Sequence, residues 1–72
     1  MPLRIRDIRE DNDLRQEDVA RLLHVSQATY SRYEKGELSI PHYALSALAD
    51  YYGTSVDYLL GRTDRKEPYP DQ

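Results

Sequence analysis

Two short helical patterns separated by only three residues constrain the fold of this chain more than any other feature. The first pattern occupies 16–23, where three apolar residues recur at the i, i+3 and i+4 spacing of one helix face. These residues are Val19, Leu22 and Leu23. The second pattern occupies 27–35, between Ser26, a favourable helix N-cap, and Gly36, which suits the position just after a helix. The sequence therefore predicts two short helices joined by a tight turn.

Further helical segments flank this pair. Apolar residues at helical spacing predict a helix at about 3–11, which ends at Asn12 and Asp13. A longer apolar stripe predicts a helix at about 41–52, with Pro41 at its first position. The sequence therefore places helices on both sides of the central pair.

A fifth helix is expected after Thr54 or Ser55, either of which can cap it, and it ends at Gly61. Beyond this point the chain carries prolines and charges but few apolar residues, which is typical of a flexible segment. We therefore predict an all-α domain of five short helices over 1–63 and a flexible tail at 64–72.

Composition excludes several classes of function. The 72 residues allow one domain, and the absence of cysteine excludes a disulfide framework and a thiolate metal site. His24 and His42 are the only histidines, so neither a metal site nor a cofactor is predicted, and an enzyme is not expected from so small a core. The longest apolar runs are too short to cross a membrane, and no secretory signal is visible at the start. A cytoplasmic protein is expected.

The charge distribution leaves nucleic-acid binding open. A net charge of −3 argues against a DNA-binding protein if it is taken alone. However, residues 1–36 carry seven basic and seven acidic groups, whereas 37–72 carry three basic and six acidic ones. Because the excess acid lies in the second half, a local basic face remains compatible with the first half.

The spacing of the central pair matches a helix-turn-helix unit, in which the second helix enters the major groove of DNA, about 12 Å wide. With Tyr30 and Tyr33 turned inward, the second helix presents an outward set of polar and small residues: Gln27, Ala28, Ser31, Arg32 and Lys35. Gln can bond an adenine edge, Arg a guanine edge, and Ala can touch a thymine methyl group. An ordinary solvated helix face is the alternative interpretation of Gln27, Ala28 and Arg32. Separately, Arg32 could pair with an acid such as Glu10 or Asp11 instead of contacting DNA.

Several motifs in order carry a family resemblance. The stretch QEDVARLLHVSQATYSRYEKG, with IRDIRED before it and IPHYALSALADYYGTSVDYLLG after it, resembles the phage-repressor/Cro-like helix-turn-helix family of XRE-type transcriptional regulators. The resemblance covers about 3–63. It implies a compact five-helix, lambda-repressor-like DNA-binding domain.

The resemblance also implies roles for individual residues. Gln27, Ala28 and Arg32 match positions that reach base edges, and Thr29 and Ser31 match positions that are used variably. Further positions match contacts to DNA phosphates: Gln16, Ser26, Lys35, Gly36 and His42. Arg9 and Glu34 match a pair that forms an internal ion pair between the first and third helices.

Two residues depart from the family pattern. Many members have Gly at the position of His24, because the backbone there has positive φ, and His is among the less strained replacements. Many members also have Thr or Ser at the position of Arg15, which cannot accept a hydrogen bond from the backbone and so forfeits the cap. We expect the charge of Arg15 to serve a DNA phosphate instead.

The sequence therefore predicts a transcriptional regulator of the repressor type that binds double-stranded DNA at a pseudo-palindromic operator as a homodimer. The alternative is an antitoxin-like or partner-binding module with the same fold. Four tyrosines exceed the needs of a small core and form either a dimer interface or half-exposed surface: Tyr43, Tyr51, Tyr52 and Tyr58. Pro68-Tyr69-Pro70 is expected to be a flexible end or, alternatively, a short interaction motif.

Overall fold

The computed structural model describes residues 3–67, and this part of the chain contains helices and no strand. Five helices follow one another: α1 (Ile5–Asp11), α2 (Gln16–Leu23), α3 (Gln27–Lys35), α4 (His42–Tyr52) and α5 (Val56–Leu59). The predicted all-α, five-helix fold is thereby confirmed. The predicted α2 and α3 have the observed bounds, whereas α1 begins later than the predicted 3–11.

The turn between α2 and α3 is built as its residue types predict. His24 has φ +60° and follows α2 in the left-handed region, where its N–H donates to Arg21 O at 3.1 Å. Ser26 then caps α3, because its Oγ accepts from the Thr29 N–H at 3.1 Å. Gly36 ends α3 with φ +76°. These three residues fix where α3 begins and ends.

The start of α2 has an unusual cap. The side chain of Arg15 makes no cap hydrogen bond, as predicted, but the Asp18 carboxylate accepts from the Arg15 backbone N–H at 2.9 Å. One of the unpaired N–H groups at this helix end is therefore satisfied from inside the first turn.

Pro41 corrects the prediction for α4. It is the N-cap and not the first helical residue, because its ψ of 152° is extended. Its carbonyl nevertheless accepts from the N–H groups of Ala44 and Leu45, both at 3.1 Å, as an N-cap carbonyl does. The helix begins at His42, one residue after the predicted start.

The core joins all five helices. Its most deeply buried large side chains are Tyr30, Ile5, Ile8, Leu48, Leu59 and Val19. Tyr30 and Tyr33 meet edge to face with ring centroids 6.4 Å apart, so the inward face predicted for α3 is confirmed. The Tyr52 hydroxyl is buried and has no hydrogen-bond partner among residues 3–67.

The end of the described chain packs against its beginning. The Arg4 N–H donates to Leu59 O at 2.8 Å, and the Arg4 guanidinium pairs with Asp64 at 2.8 Å. Thr54 Oγ1 donates to Lys66 O. These bonds hold residues that lie within the predicted tail, although residues 64–67 form no helix or strand. The boundary at 63 stays a prediction, and Pro68-Tyr69-Pro70 lies outside the described residues.

Candidate nucleic-acid interface

The outer face of α3 presents the residues predicted to contact bases. Gln27, Ala28 and Arg32 are exposed, whereas Thr29 and Ser31 are partly buried. The Thr29 hydroxyl accepts from Ser26 Oγ at 2.9 Å and so contributes to the helix cap. In this arrangement three of the predicted residues are free to meet a base edge, and two lie at the margins of the helix face.

Arg32 has an acidic neighbour that differs from those considered in the sequence. Its Nε lies 3.9 Å from Glu37 Oε1, and both side chains are just over half exposed, at 55% and 56%. Glu10 and Asp11 are not its partners in the described ion pairs; Glu10 instead lies 3.6 Å from Arg6. An exposed pair at such a distance contributes little. The Arg32 guanidinium therefore remains available to a DNA base.

The predicted phosphate-contacting residues surround α3 on several elements. The side chain of Arg15 is 82% exposed and lies 3.4 Å from Glu17. Lys35 is exposed at the end of α3, and His42 is exposed at the start of α4. The Gly36 N–H already donates to Tyr33 O at 3.2 Å. The side-chain ammonium of Lys35 is therefore the more accessible donor at this end of the helix.

A buried polar network lies behind this face. Arg9 Nε donates to Glu34 Oε2 at 2.7 Å and Arg9 Nη2 donates to Oε1 at 3.2 Å, which joins α1 to α3. The two side chains are only 12% and 4% exposed. Gln16 Nε2 also donates to Glu34 Oε1, at 3.0 Å. The ion pair that the family resemblance implies is thus present, and it has a third member on α2.

The electrostatics of Glu34 follow from its partners. Burial alone would raise the pKa of the Glu34 carboxyl, but the interactions with Arg9, Tyr30 and Gln16 hold this pKa below its ordinary value of 4.5. The same contact with Glu34 raises the pKa of Arg9. The pair is therefore ionised at neutral pH, and each charge compensates the other.

A polar cleft of about 370 Å³ opens beside the network. It is lined by residues of α1, the start of α2 and α3: Arg6, Arg9, Gln16, Ser31, Glu34 and Lys35. Three cationic side chains and one carboxylate line it, so the cleft carries a positive formal charge. Such a lining favours an anion over a neutral ligand.

Comparison with known proteins decides the family. A family model described as a helix-turn-helix domain matches residues 3–60, which is most of the chain. The chain belongs to this helix-turn-helix family. The resemblance to the phage-repressor/Cro-like, XRE-type regulators is thereby confirmed.

Relatives of this helix-turn-helix domain are named as regulators. It is 38% identical over 61 residues to the cryptic phage CTXphi transcriptional repressor RstR of Vibrio cholerae, a match that covers 85% of this chain and 55% of that protein. It is 35% identical over 65 residues to the HTH-type transcriptional regulator YobD of Bacillus subtilis, covering 90% of this chain and 58% of that protein. The domain therefore spans little more than half the length of these relatives.

A solved structure confirms the fold. The crystal structure of a transcriptional regulator from Listeria innocua matches this helix-turn-helix domain with a TM-score of 0.77 at 28% sequence identity. The match covers 93% of this chain and 61% of that one. The lambda-repressor-like arrangement predicted from the sequence is therefore the arrangement of a known regulator.

Sequence reasoning missed two features of the helix-turn-helix domain. The first is the hydrogen bond from Gln16 to Glu34. The sequence indicates it only in that a carboxylate such as Glu34 can accept more hydrogen bonds than one Arg donates. The second is an apolar groove of about 240 Å³ on the side of α2. Its lining residues are Leu14, Asp18, Val19, Arg21, Leu22 and Tyr51.

The four surplus tyrosines do not form one surface. Tyr43 and Tyr51 are 67% and 54% exposed, whereas Tyr52 is half-buried against the core. The Tyr58 ring lies under the Arg4 guanidinium, 4.4 Å from its centroid. Tyr43 and Tyr51 are thus the two that offer aromatic surface to a partner.

Two further observations concern residues 3–67. None of the helices formed by these residues is long and apolar enough to cross a membrane. Within the same range, no group of three or more His, Asp or Glu side chains is placed to hold a metal ion.

Proposed function

We propose that this helix-turn-helix domain is a sequence-specific regulator of transcription that binds double-stranded DNA, and that it acts as a repressor. One observation carries the proposal: the polar outer face of α3 is exposed while its inner face is locked to α1 and α2 by Tyr30, Tyr33 and Glu34. A helix held in this way enters the major groove without losing its own shape. The names of the relatives, which are regulators and a phage repressor, support the same function.

Base recognition falls to the outer face of α3. Gln27 would bond an adenine edge and Arg32 a guanine edge, each discriminating against other bases by about 1–3 kcal/mol. Ala28 would meet a thymine methyl group. Thr29 and Ser31, at the margins of the face, would make contacts only where the DNA sequence brings a group within reach.

Phosphate contacts would fix the position of α3 along the groove. The residues proposed for this role flank α3 on both sides: Gln16, Arg15, Ser26, Lys35, Gly36 and His42. Such contacts orient a protein on DNA but carry little sequence information. Substituting them would therefore weaken binding to all duplexes by similar factors.

We propose that the domain binds as a homodimer to a pseudo-palindromic operator. One recognition helix contacts too few base pairs to define a site alone. The domain extends 36 × 21 × 21 Å along its principal axes, so two copies that meet end to end along the long axis would have their centres about one turn of DNA apart, roughly 34 Å. The exposed Tyr43 and Tyr51 are available to such an interface.

The net charge bears on the strength of binding. With a charge of −3, the domain would release few counterions from DNA, so its non-specific affinity would be low and its salt dependence shallow. Specific contacts would then account for a large share of the affinity. A cytoplasmic location follows from the proposal, because the named relatives come from bacteria, whose DNA lies in the cytoplasm.

Selection of duplexes from a random 30-base-pair pool at about 100 mM salt tests the proposal. We expect enrichment of an inverted repeat whose half-sites lie about one helical turn apart. A matched measurement compares the full site with a single half-site, which should bind more weakly. Failure to enrich any sequence with the folded protein would overturn the proposal.

The apolar groove supports a second candidate function. Leu22 and Tyr51 border the groove and remain 39% and 54% exposed, which suits a site for a protein partner. An antitoxin-like or partner-binding module would use this groove in place of α3. Retention of a partner protein by a domain that enriches no duplex would favour this function.

A further inference from the structure

We propose that Glu34 is a positioning residue for DNA binding: its buried carboxylate orients the Gln16 amide so that one amide N–H is directed to a DNA backbone phosphate in the polar cleft. This inference rests on the DNA-binding function proposed above and deepens it. It assigns to the buried ion pair of α1 and α3 a role in binding as well as in folding.

The hydrogen bond between Gln16 and Glu34 sets the orientation of the amide. A carboxylate can only accept, so the Gln16 group that meets Glu34 Oε1 at 3.0 Å is the NH2 and not the carbonyl. The Gln16 Nε2 has two N–H groups, and Glu34 takes one of them. The second is left for a ligand, and Gln16 forms part of the lining of the cleft.

The carboxylate that orients Gln16 is itself fixed. Arg9 donates to both of its oxygens, and Arg9 Nη1 also donates to Leu14 O at 2.9 Å, so α1, the loop before α2 and α3 are joined at one point. The Glu34 side chain is only 4% exposed. A donor held in this way loses less conformational entropy on binding than a free glutamine side chain would.

The charges around the cleft favour a phosphate as the ligand of Gln16. The charge of Glu34 is compensated by Arg9, which leaves Arg6 and Lys35 as the other cations of the lining. Arg6 has a loose partner in Glu10, at 3.6 Å, and both are exposed. An anion in the cleft would therefore meet one oriented amide and two cationic side chains, with Ser31 beside them.

The experiment measures the dissociation constant of one duplex, the site obtained by selection, for the wild type, Gln16→Ala, Glu34→Gln and the double variant. If charge alone determined affinity, Glu34→Gln would tighten binding to the polyanionic DNA, because it removes a negative charge and frees Arg9. We expect the opposite for Glu34→Gln: binding about fivefold weaker, close to the loss of one hydrogen bond. Gln16→Ala should weaken binding by a similar factor, and the double variant should be no weaker than either single one.

Glu37→Gln is the matched control. It removes an exposed carboxylate next to the same face and should tighten binding or leave it unchanged. The free energy of unfolding of each variant is measured in parallel, and affinities are compared at a temperature at which all variants are folded. Tighter binding by Glu34→Gln, or effects of the two single variants that multiply in the double one, would overturn the inference.

A wild-type measurement covers the case in which Glu34→Gln does not fold. The side-chain amide resonances of Gln16 are followed by NMR while the same duplex is added. We expect two resolved, ordered amide hydrogens in the free protein, of which one shifts on binding. Averaged resonances in the free protein, or no response to bound DNA, would contradict the inference. If the wild type binds no duplex, both the proposed function and this inference are wrong. If it binds DNA but Gln16 and Glu34 are not coupled, only this inference is wrong.

Discussion

The two halves of the molecule are stabilised in different ways. In the half that contains α1, α2 and α3, a buried ion pair and an amide, Arg9, Glu34 and Gln16, hold the helices in one orientation. In the half that contains α4 and α5, apolar packing dominates, and none of the described residues forms a hydrogen bond with the buried Tyr52 hydroxyl. The buried ion pair thus lies where α3 must be held in position, whereas the ion pair next to α5, between Arg4 and Asp64, has a fully exposed carboxylate.

The largest predicted effect comes from breaking the ion pair. Arg9→Met leaves the Glu34 carboxylate buried without its cationic partner, which should lower the free energy of unfolding by about 3–5 kcal/mol. Urea denaturation measures the loss. Arg6→Met is the control on the same helix, because its side chain is 68% exposed and should matter by only about 0.5 kcal/mol. Equal effects of the two substitutions would contradict the stabilising role assigned to the buried ion pair.

The ion pair also predicts how stability depends on pH. The pKa of Glu34 is lowered in the folded state, so its contribution is complete above the unfolded value of about 4.5 and is lost as the pH falls through the folded value. The urea midpoint of the wild type should therefore fall as the pH is lowered below about 4.5, and that of Glu34→Gln should fall less. Parallel curves for the two proteins would show that Glu34 is not the group responsible.

Two glycines allow the halves to be compared at matched positions. Gly36 and Gly53 end α3 and α4 with φ +76° and +68°, and an added Cβ would meet no atom within 4 Å at either. Substitution by Ala should therefore cost about 1–2 kcal/mol at both sites through backbone strain alone, as thermal denaturation can measure. Only Gly36→Ala should also weaken DNA binding, since it displaces the end of α3. A loss of affinity in Gly53→Ala would contradict the proposed separation.

The smallest predicted effect concerns the second half. Tyr52→Phe removes a buried hydroxyl that forms no hydrogen bond with the residues the structure describes, so the free energy of unfolding should rise by about 1 kcal/mol or less. Tyr43→Phe, at a side chain that is 67% exposed, should change nothing measurable. A clear destabilisation by Tyr52→Phe in urea would show that its hydroxyl is bonded after all.

The local structure of this domain was predictable because single residues determine it. Positive φ at His24, the cap at Ser26 and the missing cap at Arg15 each depend on a residue type and its immediate neighbours. The predicted start of α4 was wrong by one residue, because Pro41 is the N-cap and not the first helical residue. The helices and most of their ends could therefore be predicted from each residue and its immediate neighbours in the sequence.

Contacts between helices were harder to predict. The pairing of Arg9 with Glu34 followed from the family resemblance, and the third member, Gln16, depends on how closely α2 approaches the end of α3. The sequence offers Glu10 and Asp11 of α1 as acidic partners of Arg32, but the loop after α3 brings Glu37 to the Arg32 guanidinium instead. Such contacts depend on the packing of helices that no local pattern encodes.

The central claim is that the outer face of α3 reads base pairs, and the substitution Arg32→Ala tests it most directly. The wild type and the variant are both subjected to duplex selection, and their preferences are compared position by position. We predict that Arg32→Ala loses about 1–3 kcal/mol of discrimination at one base pair in each half-site and keeps the remaining preferences. An equal loss of affinity for every sequence, with all preferences intact, would contradict the claim and make Arg32 a phosphate contact.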